Sequence, residues 1–251
     1  MKKVKALGLY ELKLQFRNFQ NMFFVIAFPI LMYLIFSNLL KDSMSPETQI
    51  SIVEYLLPAY IPVIILNTGI LVFGMRLVTH KEHSYFIKYK LLGIKPIQIA
   101  LSLFLAVLIC QISGIIALVV FAVVSKGVTV PMDNIVQIIL GLGLINLFQF
   151  TFAFFLGSFF KSSGTYQTVA LIIFYVQMFL GGFTFPPEMF SPFLVKILEI
   201  FNPIIHGLYV MRGVWVENKT ILAFPKESLI LVGLSLVFIV LGNKFFKWDS
   251  V

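Results

Sequence analysis

Long apolar runs separated by short charged segments set the pattern of this chain. A helix needs about 20 apolar residues to cross a bilayer. Six runs reach or approach that length, at 22–40, 56–77, 97–124, 135–159, 168–183 and 229–245. The third is long enough to tilt. The fifth is short and ends early at a pair of glycines. Residues 1–20 are too charged to span, yet Leu9, Leu12, Phe16 and Phe19 recur at helical spacing, with Lys13 and Arg17 placed to snorkel to headgroups. This predicts an interfacial helix ahead of the first span; a solvated basic tail is the plainer alternative.

The stretch after the fifth run is more elaborate than a simple loop. Gly181 and Gly182 loosen the end of a helix. Pro186 and Pro187 cannot continue one. Asn202-Pro203 then breaks a second, shorter helix. Residues 184–226 are therefore expected to form a broken outer segment, flat on the membrane or re-entrant, in the position of a gate. The expected fold is an all-α polytopic membrane protein, one membrane domain over 1–251. It has six transmembrane helices, an amino-terminal interfacial helix, and short broken outer helices between the fifth and sixth spans.

Composition agrees. The chain is 59% hydrophobic and 12% charged, with a mean hydropathy of +0.98, where a soluble domain has about 45–50% and about 25%. The net charge of +8 sits in short segments between apolar runs, so it reads as a set of topology anchors and not as a nucleic-acid footprint. Of nineteen lysines and arginines, thirteen fall on the side of the amino-terminal segment, the loop after the second span, Lys161, Lys244 and Lys247. Lys41, Lys126, Lys196, Arg212, Lys219 and Lys226 fall on the other. The positive-inside rule then places both termini in the cytoplasm. The single cysteine, Cys110, lies in an apolar run and suits a small buried hydrophobe. The first twenty residues lack a small-residue cleavage site, so the first span is expected to be retained.

The loop at 79–96 predicts a short amphipathic helix from about His80 to Leu92. Tyr85, Phe86 and Tyr89 share a face, Lys81 and Lys88 stand apart, Gly93 suits a C-cap and Pro96 a restart. Such a helix suits docking on a soluble partner; anchoring of the loop to headgroups fits it equally. His80 and His83 share a helix face but lack the spacing of a zinc hydrolase, and no third ligand is evident. No Gly-x-x-x-x-Gly-Lys-Ser/Thr occurs, so the chain has no P-loop of its own. The spans hold essentially no facing ionisable groups of the kind an intramembrane enzyme needs. They do hold Asn67, Thr68, Gln111, Ser113, Asn146, Gln149, Thr151 and Gln177, which must face other helices or a cavity.

Over nearly its whole length the chain resembles the ABC type-2 permeases, the membrane subunits of bacterial ABC exporters. Two motifs carry the resemblance. In the first cytoplasmic loop the family has Glu, then Gly, apolar and basic residues, and Pro; Glu82, Phe86, Lys88 and Lys90 fit, with Ser84 where Gly is usual and Gly93 where the first Pro is usual. In the outer segment Gly182, Phe185, Pro186, Glu188, Asn202, Pro203 and Arg212 fit more closely, beside Pro187. The resemblance implies a dimer of six-span subunits, the second permease being the same or a related chain. It implies ATPase coupling through Glu82, Tyr85, Phe86, Lys88 and Lys90, with two ABC ATPase subunits carrying the ATP and Mg, and no cofactor on this chain. It also implies pore lining by the second and fifth spans, hence by Asn67, Tyr175 and Gln177. An uncharged, aromatic path suits an amphipathic cargo such as a drug, an antimicrobial or toxin peptide, or a lipid-like molecule. A non-catalytic membrane scaffold or passive channel is the alternative reading.

Overall fold

A computed structural model describes residues 2–39 and 52–246, and no strand occurs among them. Leu40, the predicted end of the first span, and the anchors Lys41 and Lys247 lie outside the described residues. Ten helices carry the fold: α1 (Lys2–Arg17), α2 (Phe19–Leu39), α3 (Leu56–Glu82), α4 (Tyr85–Leu91), α5 (Pro96–Lys126), α6 (Ile135–Phe159), α7 (Ser163–Leu180), α8 (Pro192–Phe201), α9 (Ile204–Trp215) and α10 (Pro225–Phe245). Six of them, α2, α3, α5, α6, α7 and α10, are long and apolar enough to cross a membrane. They match the six runs in the sequence.

α3 is the axis of the bundle. Its most apolar window is 94% buried inside the chain, against 17–39% for the other five spans. It packs on α2, α5, α6, α7 and α9. Inside it, residues Asn67–Gly74 form a π-helical stretch, a widened turn often found at functional sites. Two close approaches fit there. A Cβ on Gly69 would lie 2.7 Å from Cγ of Gln149 in α6, and one on Gly74 would collide with the Tyr166 hydroxyl. That hydroxyl donates 2.9 Å to the carbonyl of Ile70.

The interfacial helix is present, ending at Arg17, with Asn18 capping the first span by accepting from the Asn21 N–H. It lies along α5. One face, with Leu7, Glu11 and Gln15, is buried. The other exposes Leu9 and Phe16 together with Lys5, Lys13 and Arg17, a mix of apolar and basic side chains that suits a headgroup boundary.

Several element boundaries differ from expectation. The loop is not one helix from His80 to Leu92. α3 runs on to Glu82, and α4 begins afresh at Tyr85 after a break at Ser84, where φ is +55°. α7 starts at Ser163, ahead of the expected Thr168. Its first turn is polar, so hydropathy misses it. It ends before the glycines, with Phe183 beyond the turn.

Candidate functional site

The first region of interest surrounds α4. Gly93 ends this helix at φ +74°, where glycine carries no Cβ penalty. The N–H of Ile94 reaches the Tyr89 carbonyl and that of Gly93 the Lys90 carbonyl, the paired bonds of a Schellman cap. Lys88 and Lys90 point to solvent, Tyr85 is half-buried, and Lys88 Nζ lies 4.9 Å from the Tyr85 ring centre. Phe86 is buried, its ring edge-on to Phe246 at 5.7 Å. Phe86 therefore faces the bundle and does not share the surface of Lys88 and Lys90. Glu82 is exposed, and its carboxylate accepts the Ser163 N–H at 3.0 Å. That bond caps the start of α7, where the backbone donors are otherwise unpaired.

Behind this loop lies a buried charge cluster. Glu11 of α1 accepts from Arg76 Nη2 at 2.5 Å and from Nε at 3.2 Å, and its other oxygen lies 3.2 Å from His80 Nε2. His80 Nδ1 donates to the carbonyl of Arg76 at 2.8 Å. Burial alone would raise the Glu11 pKa; the His80 hydrogen bond and the Arg76 charge outweigh it and hold the carboxyl below its ordinary value. His83 is exposed. Among the described residues no group of three His, Cys, Asp or Glu could hold a metal. Arg76 and Lys81, counted among the topology anchors, also spend their charge inside the protein: Lys81 Nζ donates to the Ser158 carbonyl at 3.0 Å.

A polar cleft of about 180 Å³ opens beside the π-helical stretch. Asn18, Gln20 and Asn21 line it from the start of α2, Asn67 from α3, and Gln167 from α7. Asn67 is 1% exposed, and neither atom of its amide has a hydrogen-bond partner. A buried amide left bare is costly in an apolar interior, so this one is suited to a polar group entering the cleft. The other expected pore residues sit elsewhere. Gln177 is buried, and its oxygen accepts from Gln149 Nε2 at 3.0 Å. Thr68 is likewise bonded to Gln111 at 2.8 Å. These are helix-to-helix bonds. Tyr175 is exposed on α7 and stacks on Phe179 at 6.2 Å.

The opposite end of the bundle holds the broken segment. α8 and α9 meet at Asn202-Pro203 with a bend of 108°. Every residue of α9 is buried except Tyr209, which is half-buried, and the helix packs on α3, α6 and α10. α8 instead exposes Phe193, Ile200 and Phe201. The pair is thus a hairpin whose second arm enters the bundle. Arg212 on that arm is 6% exposed. Its guanidinium lies 3.5 Å from Glu188 and 3.4 Å from the carbonyl of Gly182. Gly182 has φ +80°, and a Cβ there would lie 2.6 Å from Leu208 and 2.7 Å from Pro187. Pro186 and Pro187 lead into a single 3-10 turn ending at Met189. Phe185 stacks on Phe179 at 6.0 Å and meets Phe36 of α2 edge-on at 5.8 Å. The turn is held from below by a cation and from the side by rings.

Sequence reasoning missed Glu11, Lys81 and Phe246. A lone Glu in a basic segment and a Lys at the end of a span were legible only as oddities. A search of curated proteins returned no match to this chain. The family model described as ABC-2 type transporter matches residues 2–215, from the interfacial helix to the end of α9, and the chain belongs to that family, as a multi-pass membrane permease component of an ABC transporter that works with an ABC ATPase.

Proposed function

We propose that this chain is the permease of an ATP-driven exporter in a bacterial plasma membrane, moving an amphipathic cargo outward. In this reading both termini face the cytoplasm. Two ATPase subunits, which carry the ATP and Mg, drive a pair of permeases, this chain with a copy or a relative. The surface of α4 offered to the ATPase is formed by Tyr85, Lys88 and Lys90, with Glu82 at its start. Phe86 passes movement inward.

One observation carries the reading. The cleft bearing the unpartnered Asn67 amide lies between the first turns of α2, the middle of α3 and the first half of α7. The turn pinned by Arg212 closes the far end of the same helices. A polar entry at one end and a braced closure at the other suit a path with two alternating openings. Asn67 lines the entry, Gln177 braces α7 against α6, and Tyr175 presents an aromatic surface farther along α7. Gly182, Phe185, Pro186, Pro187, Glu188, Asn202, Pro203 and Arg212 form the outer gate.

The test is reconstitution of the chain in vesicles with its ABC ATPase partner, scored with a fluorescent amphipathic dye. Dye movement that needs ATP supports export. Movement indifferent to ATP would make the chain a passive channel, and no movement with intact assembly would make it a scaffold.

A further inference from the structure

Two buried neighbours at the α4 end of α3 tie that end to different parts of the bundle. His80 is 1% exposed and reaches Glu11 of α1. Lys81 is 9% exposed and turns the other way. Its ammonium donates to the Ser158 carbonyl in the last turn of α6 and lies 5.2 Å over the ring of Phe246, next to the end of α10. Carbonyls at a helix end lack backbone partners, so a cation there is favoured. Consecutive helical residues point about 100° apart, so one stiff helix end serves both directions.

Phe86 of α4 is wedged between the two arms. Its ring centre lies 5.9 Å from that of His80 and 5.7 Å from that of Phe246. Phe246 also stacks on Phe154 of α6 at 5.4 Å. A push on α4 therefore meets, through one buried ring, the group fastened to α1 and the group fastened to α6 and α10. Close-packed interiors transmit displacement instead of absorbing it.

We propose that this end of α3 is a divider: Glu11, held by Arg76 with His80 beside it, is the arm to α1, and Lys81 with Ser158 and Phe246 is the arm to α6 and α10. His80 and Lys81 are positioning residues, since neither sits on the docking surface. The inference rests on α4 being the helix the ATPase moves.

The experiment uses spin-label distances in the full chain with Cys110 replaced by Ala, labelled in pairs at Leu9 and Leu92 or at Leu92 and Lys244. These positions are exposed. In the parent chain both pairs give one narrow distance. Glu11→Gln loses the narrow Leu9–Leu92 peak and keeps the Leu92–Lys244 peak. Lys81→Met does the reverse, since it keeps the stem and loses the cation. Lys81→Arg, which keeps charge and donors, retains both. In the complex with the ATPase, trapping with ATP and vanadate moves the three labels as one body in the parent, and leaves behind the arm each variant cuts. Variants that broaden both distances, or neither, overturn the proposal, as does an Arg variant as loose as the Met one. Arm-specific loosening with no response to ATP in the parent complex would keep the fastening and sink the docking role of α4.

Discussion

At φ +55° Ser84 sits in the left-handed region, which disfavours any side chain by roughly 1–2 kcal/mol. It stands where the resemblance has Gly. Ser84→Gly relieves that strain and gives back part of it as unfolded-chain entropy. The expected outcome is a gain of about 0.5–1 kcal/mol, seen as a higher unfolding temperature in detergent. Gly182 is the opposite case. Its positive φ and the neighbours within 2.7 Å both forbid a Cβ. Gly182→Ala is expected to cost about 2–4 kcal/mol, read by the same melt. Glu11 makes a pH prediction. Its pKa is lowered on docking, so its contribution is fully present above the ordinary carboxylate range and is lost as pH falls through the lowered value. The mobility of a spin label at Leu9 should hold steady while the pH stays above the ordinary carboxylate range and rise only below it.

The helices explain why the outer turn is closed. α9 enters the bundle because most of its residues are apolar or small, and all but Tyr209 are buried. That burial carries Arg212 beneath the turn, where its charge needs company. Arg212 is buried and touches the Gly182 carbonyl as well as Glu188, while Glu188 is partly exposed, which makes the two truncations unequal. Arg212→Ala is expected to lower stability by about 2–3 kcal/mol, and Glu188→Ala by less than about 1 kcal/mol. A double-mutant cycle on the melting free energies checks this, and equal losses would show that the ion pair, not the Gly182 carbonyl, is the brace. The cap on α7 is argued the same way. Glu82→Ala frees the Ser163 N–H while Glu82→Gln keeps an acceptor there. Amide exchange of the first turn of α7 should quicken in the Ala variant alone.

The assembly as a whole has a stiff centre and a loose rim. α3 is enclosed by its own chain, while α2, α7 and α10 leave most of their surface for lipid or for a second permease. A path between two permeases would therefore be walled by α2 and α7 and reach α3 only at the cleft beside Asn67. Asn67→Leu should leave folding intact, since the amide has no partner to lose, and should lower ATP-driven dye movement by about tenfold or more if that amide contributes a full hydrogen bond to cargo. Unchanged movement would remove Asn67 from the path.

Apolar run length was enough to count the spans, because crossing a bilayer demands it of every segment regardless of neighbours. Glycine and proline were enough to place the breaks at Gly181 and Asn202, because they act through local backbone geometry. The interfacial helix was legible too, as a stripe, though which face met protein was not. Partners across the chain were beyond local reading. Glu11 and Arg76 are 65 residues apart, and Lys81 and Ser158 are 77 apart. Phe86 looked like a surface ring until Phe246 was found against it, and nothing local to Gln177 showed that it bonds to Gln149. Each of those assignments depends on what the folded chain brings alongside, and pairing of polar groups in an apolar interior is a property of that neighbourhood and not of the residue.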